Sequence, residues 1–351
     1  MQTSAEKWTD LMGMGRDPWL RLWTRRAITV PLYAVCLTLL LASSPILLPL
    51  AALTDVLRRS RFALVRMLLF LLLYFTFEAL GILASLLLWL IGGPWVSSDK
   101  ERYLRWNFRL QCWWARVLAG GAFRIFSVRL EVEGLEDYRD RPILLFTRHV
   151  STADTVLPAL MISIPQGVIL RYVIKRELLA DPCLDIVGNR LPNYFVRRGS
   201  GQTDREIQAI RRLMQDLRPG HGVLMYPEGT RFTARKRDRI LRRLEESGDR
   251  KALQRARSMP LVLPPRLAGS LELLENNPGA DAVFCIHTGF ETTMSMAELW
   301  RGDLVGKRVQ VKFWTIPFKR IPESREAMSD WMWDQWAAVN ASLERWKEDP
   351  A

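Results

Sequence analysis

Two long apolar stretches occupy the amino-terminal part of the chain. Residues 28–54 contain no charged side chain, and residues 67–97 contain one, Glu78. Each stretch is long enough for a helix that crosses a bilayer core of about 30 Å. The first is also longer than the apolar segment of a secretory signal and lacks its small-residue cleavage pattern. The pattern predicts two membrane-embedded helices over residues 28–97; a buried helical hairpin of a soluble protein is the alternative.

Basic residues around these stretches leave their membrane topology open. They lie before the first stretch, between the two and after the second: Arg16, Arg21, Arg25, Arg26; Arg58, Arg59, Arg61, Arg66; Lys100, Arg102, Arg105, Arg109. Two spanning helices would place the middle group on the outer side, against the usual bias of Lys and Arg to the cytoplasm. A hairpin that bends at Ser43, Ser44 and Pro45 and returns within one leaflet would keep every group on one side.

Segments rich in tryptophan and arginine flank the apolar stretches. Residues 1–27 have the composition of an amphipathic helix that lies in the membrane interface. Residues 100–128 have a similar composition and are predicted to be helical. The expected organisation is an interfacial helix, a membrane-embedded helical pair and a folded domain, over residues 1–27, 28–97 and 98–351.

From residue 128 onward, short apolar runs alternate with longer segments of helical periodicity. The runs predicted to be strands are residues 128–132, 143–147, 168–174, 193–196, 222–226, 282–287 and 308–315. The segments predicted to be helices are residues 153–162, 203–217, 238–257, 268–275 and 324–347. Such alternation is typical of βα units. The predicted fold class is therefore α/β, with a largely parallel sheet flanked by helices.

Composition and charge narrow the functional classes only slightly. Apolar residues make up 49% of the 351 residues, enough for a sizeable core. Lys and Arg outnumber Asp and Glu by 50 to 37, and the net charge of +13 favours polyanionic partners such as nucleic acid, anionic lipid or phosphorylated small molecules. The four cysteines and three histidines are scattered, which argues against a disulfide framework and a metal site.

The segment HVSTAD, residues 149–154, follows the predicted strand 143–147. On a regular helix, positions five apart point about 140° apart, so His149 and Asp154 meet only if His149 lies in the turn before the helix. Asp154 would then fix one imidazole nitrogen and leave the other free to accept a proton from a hydroxyl. Ser151-x-x-Asp154 is also a helix capping box, a structural alternative that is compatible with the catalytic one.

A second polar segment, YPEGTR over residues 226–231, follows the predicted strand 222–226. Pro, Gly and Thr favour a tight loop at the carboxyl end of the strand, where open α/β sheets bind ligands. The guanidinium of Arg231 is suited to hold a phosphate through paired hydrogen bonds. The structural alternative is a turn in which Glu228 and Arg231 form a local ion pair.

Together, HVSTAD and YPEGTR resemble the first and third signature blocks of the glycerolipid acyltransferase family, which includes glycerol-3-phosphate and lysophosphatidic acid acyltransferases. Arg148 stands where the family typically has Asn. The second block resembles residues 175–177 through Gly188 to residues 195–198, and the fourth resembles residues 263–269. The variants EGTRFT and PRxxG are similar to those of the eukaryotic-type lysophosphatidic and lysocardiolipin acyltransferases.

The resemblance covers about residues 100–347 and implies a role for each matching position. His149 would be the general base and Asp154 its orienting partner. The residues that bind the glycerol phosphate acceptor would be Glu228, Gly229, Thr230 and Arg231, joined by Arg198. Pro265 would shape the acyl pocket. Arg148 would add a cation beside the base and alter its basicity and neighbours.

The resemblance implies a membrane-bound enzyme that moves a fatty acyl chain from a thioester to the free hydroxyl of lysophosphatidic acid. Another lysophospholipid or glycerol-3-phosphate is the alternative acceptor. The implied donor is acyl-CoA or acyl-carrier protein, with no bound cofactor, no metal and no nucleic acid partner. The catalytic domain would face the cytoplasm and contact an anionic membrane surface. A covalent acyl-enzyme on Cys183 or Ser151 is unneeded, because a thioester is already activated.

Two further alternatives concern charge. A non-catalytic, membrane-tethered protein that binds polyanions would explain the net charge and the apolar stretches, but it would not explain HVSTAD and YPEGTR. Residues 231–257 carry eleven Lys or Arg against four Asp or Glu. This basic run is either a solvated helix or a surface that contacts anionic headgroups or donor phosphates.

Overall fold

The apolar stretches form two long helices, α1 (Trp19–Arg58) and α2 (Ala63–Gly92). By length and composition, both suffice to cross a membrane. In their most apolar windows only 6% and 17% of the residues are buried, whereas the core helix of a soluble protein is mostly buried. The exposed apolar surface is suited to contact with lipid. The computed structural model describes residues 17–93, 100–151, 153–196, 203–291 and 296–348.

The predicted interfacial segment falls within the described residues only from residue 17 onward. Trp19 and Trp23 belong to the first turns of α1, with exposed rings whose centroids are 6.4 Å apart. They are therefore continuous with the apolar helix that follows. The interfacial helix over residues 1–27 stays a prediction.

The α1–α2 hairpin is fastened to the rest of the protein near both of its ends. Near the start of α1, Arg25 and Arg26 donate to the buried carboxylate of Asp185 at 2.6 and 2.9 Å. In the first turn of α2, Arg66 donates to the hydroxyl of Ser127 at 2.9 Å. The hairpin is therefore attached to the folded domain at its open end and beside its turn.

Glu78, the single charged residue of the second apolar stretch, is buried where α2 meets the domain. Its carboxyl accepts hydrogen bonds from Trp114 Nε1 at 2.9 Å and from the backbone N–H of Cys183 at 3.2 Å. One turn earlier, the hydroxyl of Tyr74 donates to Asp181 at 2.7 Å. Buried polar groups are costly unless they are hydrogen-bonded, so this cluster specifies where α2 docks.

Seven strands form one sheet beside the hairpin. They are β1 (Arg129–Glu133), β2 (Ile143–Thr147), β3 (Ile169–Lys175), β4 (Tyr194–Val196), β5 (His221–Met225), β6 (Asp281–Thr288) and β7 (Arg308–Ile316). The order is β1-β7-β6-β2-β5-β3-β4, and every neighbouring pair is parallel except β6 and β7. The predicted largely parallel α/β sheet is confirmed, and each strand lies within about one residue of its predicted bounds.

Helices cover both faces of the sheet. After the hairpin they are α3 (Lys100–Ile125), α4 (Pro182–Gly188), α5 (Thr203–Leu213), α6 (Ala234–Ser247), α7 (Arg250–Arg257), α8 (Leu267–Glu275), α9 (Met296–Arg301) and α10 (Arg325–Glu348). Strands β2 and β5 are buried along their whole length. Leu144 and Leu145 point into separate hydrophobic clusters on opposite faces. Central parallel strands covered on both faces read as continuous apolar runs, which is why they were readily predicted.

Two predicted helices are interrupted in the structure, and the helix predicted over residues 203–217 ends at Leu213. The helix predicted over residues 238–257 is divided into α6 and α7, because Gly248 adopts a left-handed conformation with a φ of 73°. The helix predicted over residues 153–162 is replaced by a 3₁₀ helix, Ala153–Val156, and a π-helical turn, Ala159–Ser163. Pro158 lies between these segments and lacks the N–H that a continuous α-helix would use.

Candidate functional site

The two motifs meet at one edge of the sheet. Strands β2, β5 and β6 are parallel, so their carboxyl ends lie side by side. HVSTAD follows β2, YPEGTR follows β5, and His287 is the penultimate residue of β6. Open α/β sheets bind their ligands outside the carboxyl ends of their strands. This edge is therefore the candidate active site.

His149 and Asp154 are in direct contact. Nδ1 of His149 lies 2.9 Å from Oδ1 of Asp154. His149 occupies the turn after β2 and Asp154 the first turn of the 3₁₀ helix, the arrangement that their spacing requires. The other carboxylate oxygen accepts from the backbone N–H groups of Val150 at 2.6 Å and Ser151 at 2.7 Å. Asp154 thus caps the helix and orients the imidazole at the same time.

The imidazole of His149 has one edge open. Its side chain is 11% exposed, and its ring packs against Tyr226 with the ring centroids 4.5 Å apart. Within the described ranges, only Nδ1 of the ring has a hydrogen-bond partner. Because the carboxylate of Asp154 holds a proton on Nδ1, the lone pair of the neutral ring lies on Nε2. Nε2 is therefore the atom that can accept a proton from a substrate.

Asp154 is buried and carries its negative charge. Burial alone would raise the pKa of Asp154, but the hydrogen bond from His149 and the nearby ring of His287 hold that pKa below its ordinary value. The backbone N–H of Ser151 acts in the same direction. At neutral pH a carboxylate therefore lies next to His149, where it could stabilise an imidazolium formed by proton transfer.

Arg148, at the position of the family's Asn, turns away from His149. It is buried and donates to the carbonyl oxygens of His287 at 2.8 Å and Leu261 at 3.1 Å, and to the carboxylate of Glu291 at 2.7 Å. Burial alone would raise the pKa of Glu291, but Arg148 holds it below its ordinary value. The positive charge of Arg148, which was expected beside His149, is therefore compensated by the carboxylate of Glu291. Arg148 also joins β6 to the segment before α8.

The YPEGTR loop is tied to the catalytic turn. The backbone N–H of Gly229 donates to the carbonyl of Tyr226 at 2.9 Å, and Gly229 has a φ of 63°, which favours glycine. The N–H of Phe232 donates to the carbonyl of His149 at 2.8 Å. The N–H of Arg266, in the fourth block, bonds the same loop at 2.8 Å. Three of the four blocks are thus held together by backbone hydrogen bonds.

Glu228 is buried beneath this loop. Its side chain is 1% exposed, and within the part of the chain that the structure describes its carboxyl oxygens have no hydrogen-bond partner. Burial raises the pKa of Glu228 to about 8, and the positive charge of Arg148 opposes the rise. The local ion pair between Glu228 and Arg231, considered from the sequence, is not formed.

Cationic side chains border the loop. Nζ of Lys236 donates to the hydroxyl of Thr230 at 3.0 Å and to the carbonyl of Arg231 at 2.8 Å. Arg266 is exposed and lies against Gly229, where an added methyl group would come within 2.7 Å of its Cδ. The side chain of Arg231 is half-buried at the end of the loop. This concentration of positive charge favours an anion next to the dyad.

A base held by a carboxylate beside a cationic loop is the arrangement that the four signature blocks imply. Residues 129–262 match the family model described as Acyltransferase, and that range includes both motifs. Residues 129–262 therefore belong to the acyltransferase family, and the predicted resemblance is confirmed for that range.

Curated relatives of this chain include two proteins from Pseudomonas aeruginosa. A lyso-ornithine lipid O-acyltransferase is 31% identical over 140 residues, which cover 40% of this chain and 46% of the relative. A 1-acyl-sn-glycerol-3-phosphate acyltransferase is 30% identical over 134 residues, which cover 38% of this chain and 47% of the relative. The chain thus spans about half the length of the curated relatives that it matches.

A solved structure is also similar to this chain. It is the 1-acyl-sn-glycerophosphate (LPA) acyltransferase PlsC from Thermotoga maritima, with 14% sequence identity and a TM-score of 0.45. The superposition covers 76% of this chain and 98% of that chain.

The remaining predicted residues of the acyltransferase domain have different environments. Pro265 is buried next to Arg266 in the fourth block. Arg198 lies outside the described residues. Ser151 is buried within the catalytic turn, where its hydroxyl accepts from the N–H of Ala153 at 3.2 Å. Cys183 is buried in α4, where it packs on α2.

Three residues at the site were not singled out from the sequence. Lys236 is one of many cations in the basic run, and Arg266 is part of the fourth block. His287 is the last residue of the predicted strand 282–287. This position at the carboxyl end of a strand was the one sequence feature that could have marked His287 as a site residue. Only the strand order, which the sequence does not specify, places β6 next to β2 and His287 next to Asp154.

Proposed function

We propose that this acyltransferase moves a fatty acyl chain from an acyl thioester to the free hydroxyl of lysophosphatidic acid. The observation that carries the proposal is the His149–Asp154 dyad, whose open Nε2 lies beside a cationic loop. A base next to a cationic loop suits an acceptor whose hydroxyl lies near a phosphate. One curated relative is named a 1-acyl-sn-glycerol-3-phosphate acyltransferase, which supports the same acceptor.

The reaction needs one base and no covalent enzyme intermediate. Nε2 of His149 takes the proton of the acceptor hydroxyl as the oxygen attacks the thioester carbonyl. The tetrahedral intermediate collapses by breaking the carbon–sulfur bond, and the leaving thiolate recovers the proton from His149. Asp154 stabilises the imidazolium between these steps. The products are the diacylated lipid and a free thiol.

The acceptor phosphate would lie over the loop after β5. In this proposal Arg231 and Thr230 contact the phosphate, Gly229 allows its close approach, and Arg198 adds a second guanidinium. Glu228 would act from beneath the loop. Pro265 would shape the pocket for the acyl chain, whose donor is acyl-CoA or acyl-carrier protein.

Lyso-ornithine lipid is the second candidate acceptor, because the relative that carries this name is 31% identical. An ornithine headgroup bears a carboxylate and an amine and has no phosphate. Its single negative charge is offset by the amine, so the cationic loop favours the more highly charged phosphate monoester of lysophosphatidic acid. Other lysophospholipids and glycerol-3-phosphate carry a phosphate and would use the same loop.

Arg231→Lys tests the acceptor. Lysine keeps the charge but cannot reproduce the paired hydrogen bonds of a guanidinium. A charge-assisted hydrogen bond contributes about 1.5–3 kcal/mol, so kcat/KM for lysophosphatidic acid is expected to fall roughly 10-fold to 100-fold. The loss should be smaller for a zwitterionic lysolipid, whose phosphate carries less charge. Saturation curves for both acceptors measure the difference.

Arg235→Lys is the matched control for this test. Arg235 is an exposed arginine at the start of α6, and its replacement is expected to leave both saturation curves unchanged. Equal losses on both acceptors in Arg231→Lys would contradict a phosphate-binding role. A loss confined to the thioester donor would move Arg231 to the donor side.

The hairpin supports a position within one leaflet of the membrane. Residues near both ends of the hairpin bond to the same folded domain, through Asp185 at one end and Ser127 at the other. Two helices that crossed the bilayer would carry the intervening turn to the far side, away from Ser127. In this proposal residues 28–97 are embedded in one leaflet, residues 98–351 form the catalytic domain and that domain faces the cytoplasm, where basic residues are retained.

Cysteine labelling tests this topology. Single cysteines are placed by Arg58→Cys in the hairpin turn and Glu348→Cys at the end of α10, with Cys36 and Cys112 replaced by serine. Both positions are exposed. An impermeant maleimide is expected to label both from the same side of sealed vesicles, and lysed vesicles serve as the control. Labelling from opposite sides would contradict the one-leaflet arrangement.

The basic run supports contact with an anionic membrane surface. On α6, four arginines are exposed and form no ion pair among the described residues: Arg235, Arg239, Arg242 and Arg243. Lys251 and Arg255 of α7 are instead paired with Asp330 of α10. The exposed arginines of α6 are therefore available to attract anionic headgroups.

A further inference from the structure

His287 lies directly behind the catalytic dyad and belongs to neither signature motif. It is fully buried at the carboxyl end of β6. Its Nε2 is 3.2 Å from the carbonyl oxygen of Arg148 and 3.5 Å from Oδ2 of Asp154. Both neighbouring atoms are hydrogen-bond acceptors, so the proton of the neutral imidazole must reside on Nε2.

Burial keeps His287 neutral. The charged groups that face it are Asp154 from the catalytic turn, Arg148 from the end of β2 and Glu291 from the loop after β6. Burial lowers the pKa of His287 below its ordinary value, and the attraction of Asp154 opposes this only in part. The edge of the ring also contacts Phe290, with the centroids 5.9 Å apart. At neutral pH His287 therefore acts as a fixed donor without a charge.

We propose that His287 is a positioning residue of the acyltransferase: its Nε2–H donates to the Arg148 carbonyl and lies 3.5 Å from Oδ2 of Asp154, so that Oδ1 stays aimed at His149. This inference rests on the proposed function of the dyad. Asp154 has two carboxylate oxygens, and a rotation about its side chain would break the 2.9 Å contact with His149. The N–H groups of Val150 and Ser151 donate to Oδ2, and Nε2–H of His287 lies 3.5 Å from the same oxygen; together they oppose that rotation.

The donor from His287 also sets how strongly the dyad holds a proton. The polar N–H of His287, 3.5 Å from Oδ2 of Asp154, attracts part of the negative charge that would otherwise stabilise the His149 imidazolium. Removing that donor leaves more charge for the imidazolium. The midpoint of the His149 titration is therefore expected to move to higher pH, and the acidic limb of the pH–rate profile should move with it. Tyr226 and Glu228, which also face His149, are unchanged in this comparison.

Two substitutions separate this role from simple packing. His287→Gln places an amide N–H near the position of Nε2 and keeps a hydrogen-bond donor there. His287→Leu fills the same space with an apolar side chain that has no donor. His287→Leu is expected to lower kcat roughly 10-fold to 100-fold, as found when the partners of orienting groups are removed, with little change in acceptor KM. His287→Gln is expected to restore most of the rate and the acidic limb.

The titration is read by NMR of the histidine rings, independently of activity. The chain has three histidines, His149, His221 and His287, so each signal can be assigned by substitution. The expected result is a higher His149 midpoint in His287→Leu and a near-normal midpoint in His287→Gln. If His287→Leu fails to fold, His287→Asn replaces it, because the shorter amide does not reach the Nε2 position.

Outcomes of this experiment separate the inference from the proposed function. A His149 midpoint that is the same in wild type and His287→Leu would overturn the inference. Equal rate losses in the Gln and Leu variants, without a shift of the acidic limb, would also overturn it and indicate packing alone. If the wild-type protein transfers no acyl group, yet the His149 midpoint still differs between wild type and His287→Leu, the proposed function is refuted. The positioning role of His287 then still stands.

Discussion

In the His149→Ala variant, kcat for acyl transfer is expected to fall by about 10²- to 10⁴-fold, because the loss of a positioned base has effects of this size. Alanine leaves no group that can take the proton of the acceptor hydroxyl at the edge formed by β2, β5 and β6. The His149 side chain lies at the rim of the site and is 11% exposed, so the thermal unfolding temperature is expected to change little. The measurement is the initial rate of thiol release.

His221→Ala is the matched control. His221 begins β5, at the amino end of a strand whose carboxyl end carries the YPEGTR loop. It is buried, so its replacement is expected to lower the unfolding temperature more than His149→Ala does. Its rate should nevertheless stay near that of the wild type. Near-normal turnover in His149→Ala would remove His149 from the mechanism.

Asp154→Asn is expected to reduce kcat by about 10²- to 10⁴-fold while keeping the fold. The asparagine oxygen would still accept from the N–H groups of Val150 and Ser151, so the cap is preserved. The amide nitrogen would then face Nδ1 of His149 and act as a donor. That arrangement places the ring proton on Nε2, the wrong tautomer for a base, and also removes the stabilising charge.

Rate and stability must be measured together for Asp154→Asn. An unchanged unfolding temperature with a large loss of rate is the expected pair of results. Full activity would show that Asp154 is only a helix cap. Loss of both would assign its main role to the fold, since a buried carboxylate at this turn also contributes to stability.

The strands were easier to predict than the helices, for a physical reason. Strands such as β2 and β5 are buried on both faces and end at polar turns. Each strand therefore coincides with a short apolar run in the sequence, and the ends of the run give its bounds. Gly248 was a sequence signal for the break between α6 and α7. The helical pattern of charged residues continues on both sides of this glycine, so one continuous helix was predicted. The short helix α4, with Asp181 as its cap and Pro182 in its first turn, was too brief for periodicity to detect.

The site was predictable where its parts are local and hidden where they depend on topology. His149 and Asp154 lie five residues apart, so their chemistry could be inferred from a single turn. His287 reaches Asp154 only because β6 pairs with β2. Likewise, no local pattern indicates that Arg148 turns to Glu291 or that Glu78 of the hairpin bonds Trp114. Long-range pairing, which composition and periodicity do not encode, decides these contacts.

The central claim is tested most directly by assaying purified protein with an acyl thioester, with and without lysophosphatidic acid. Acyl-CoA and acyl-carrier protein are compared as donors, and lyso-ornithine lipid as a second acceptor. The expected result is thiol release that requires lysophosphatidic acid, equals the phosphatidic acid formed and disappears in His149→Ala. A wild-type protein that binds anionic vesicles but releases no thiol with any acceptor would contradict the claim and favour a non-catalytic polyanion-binding protein.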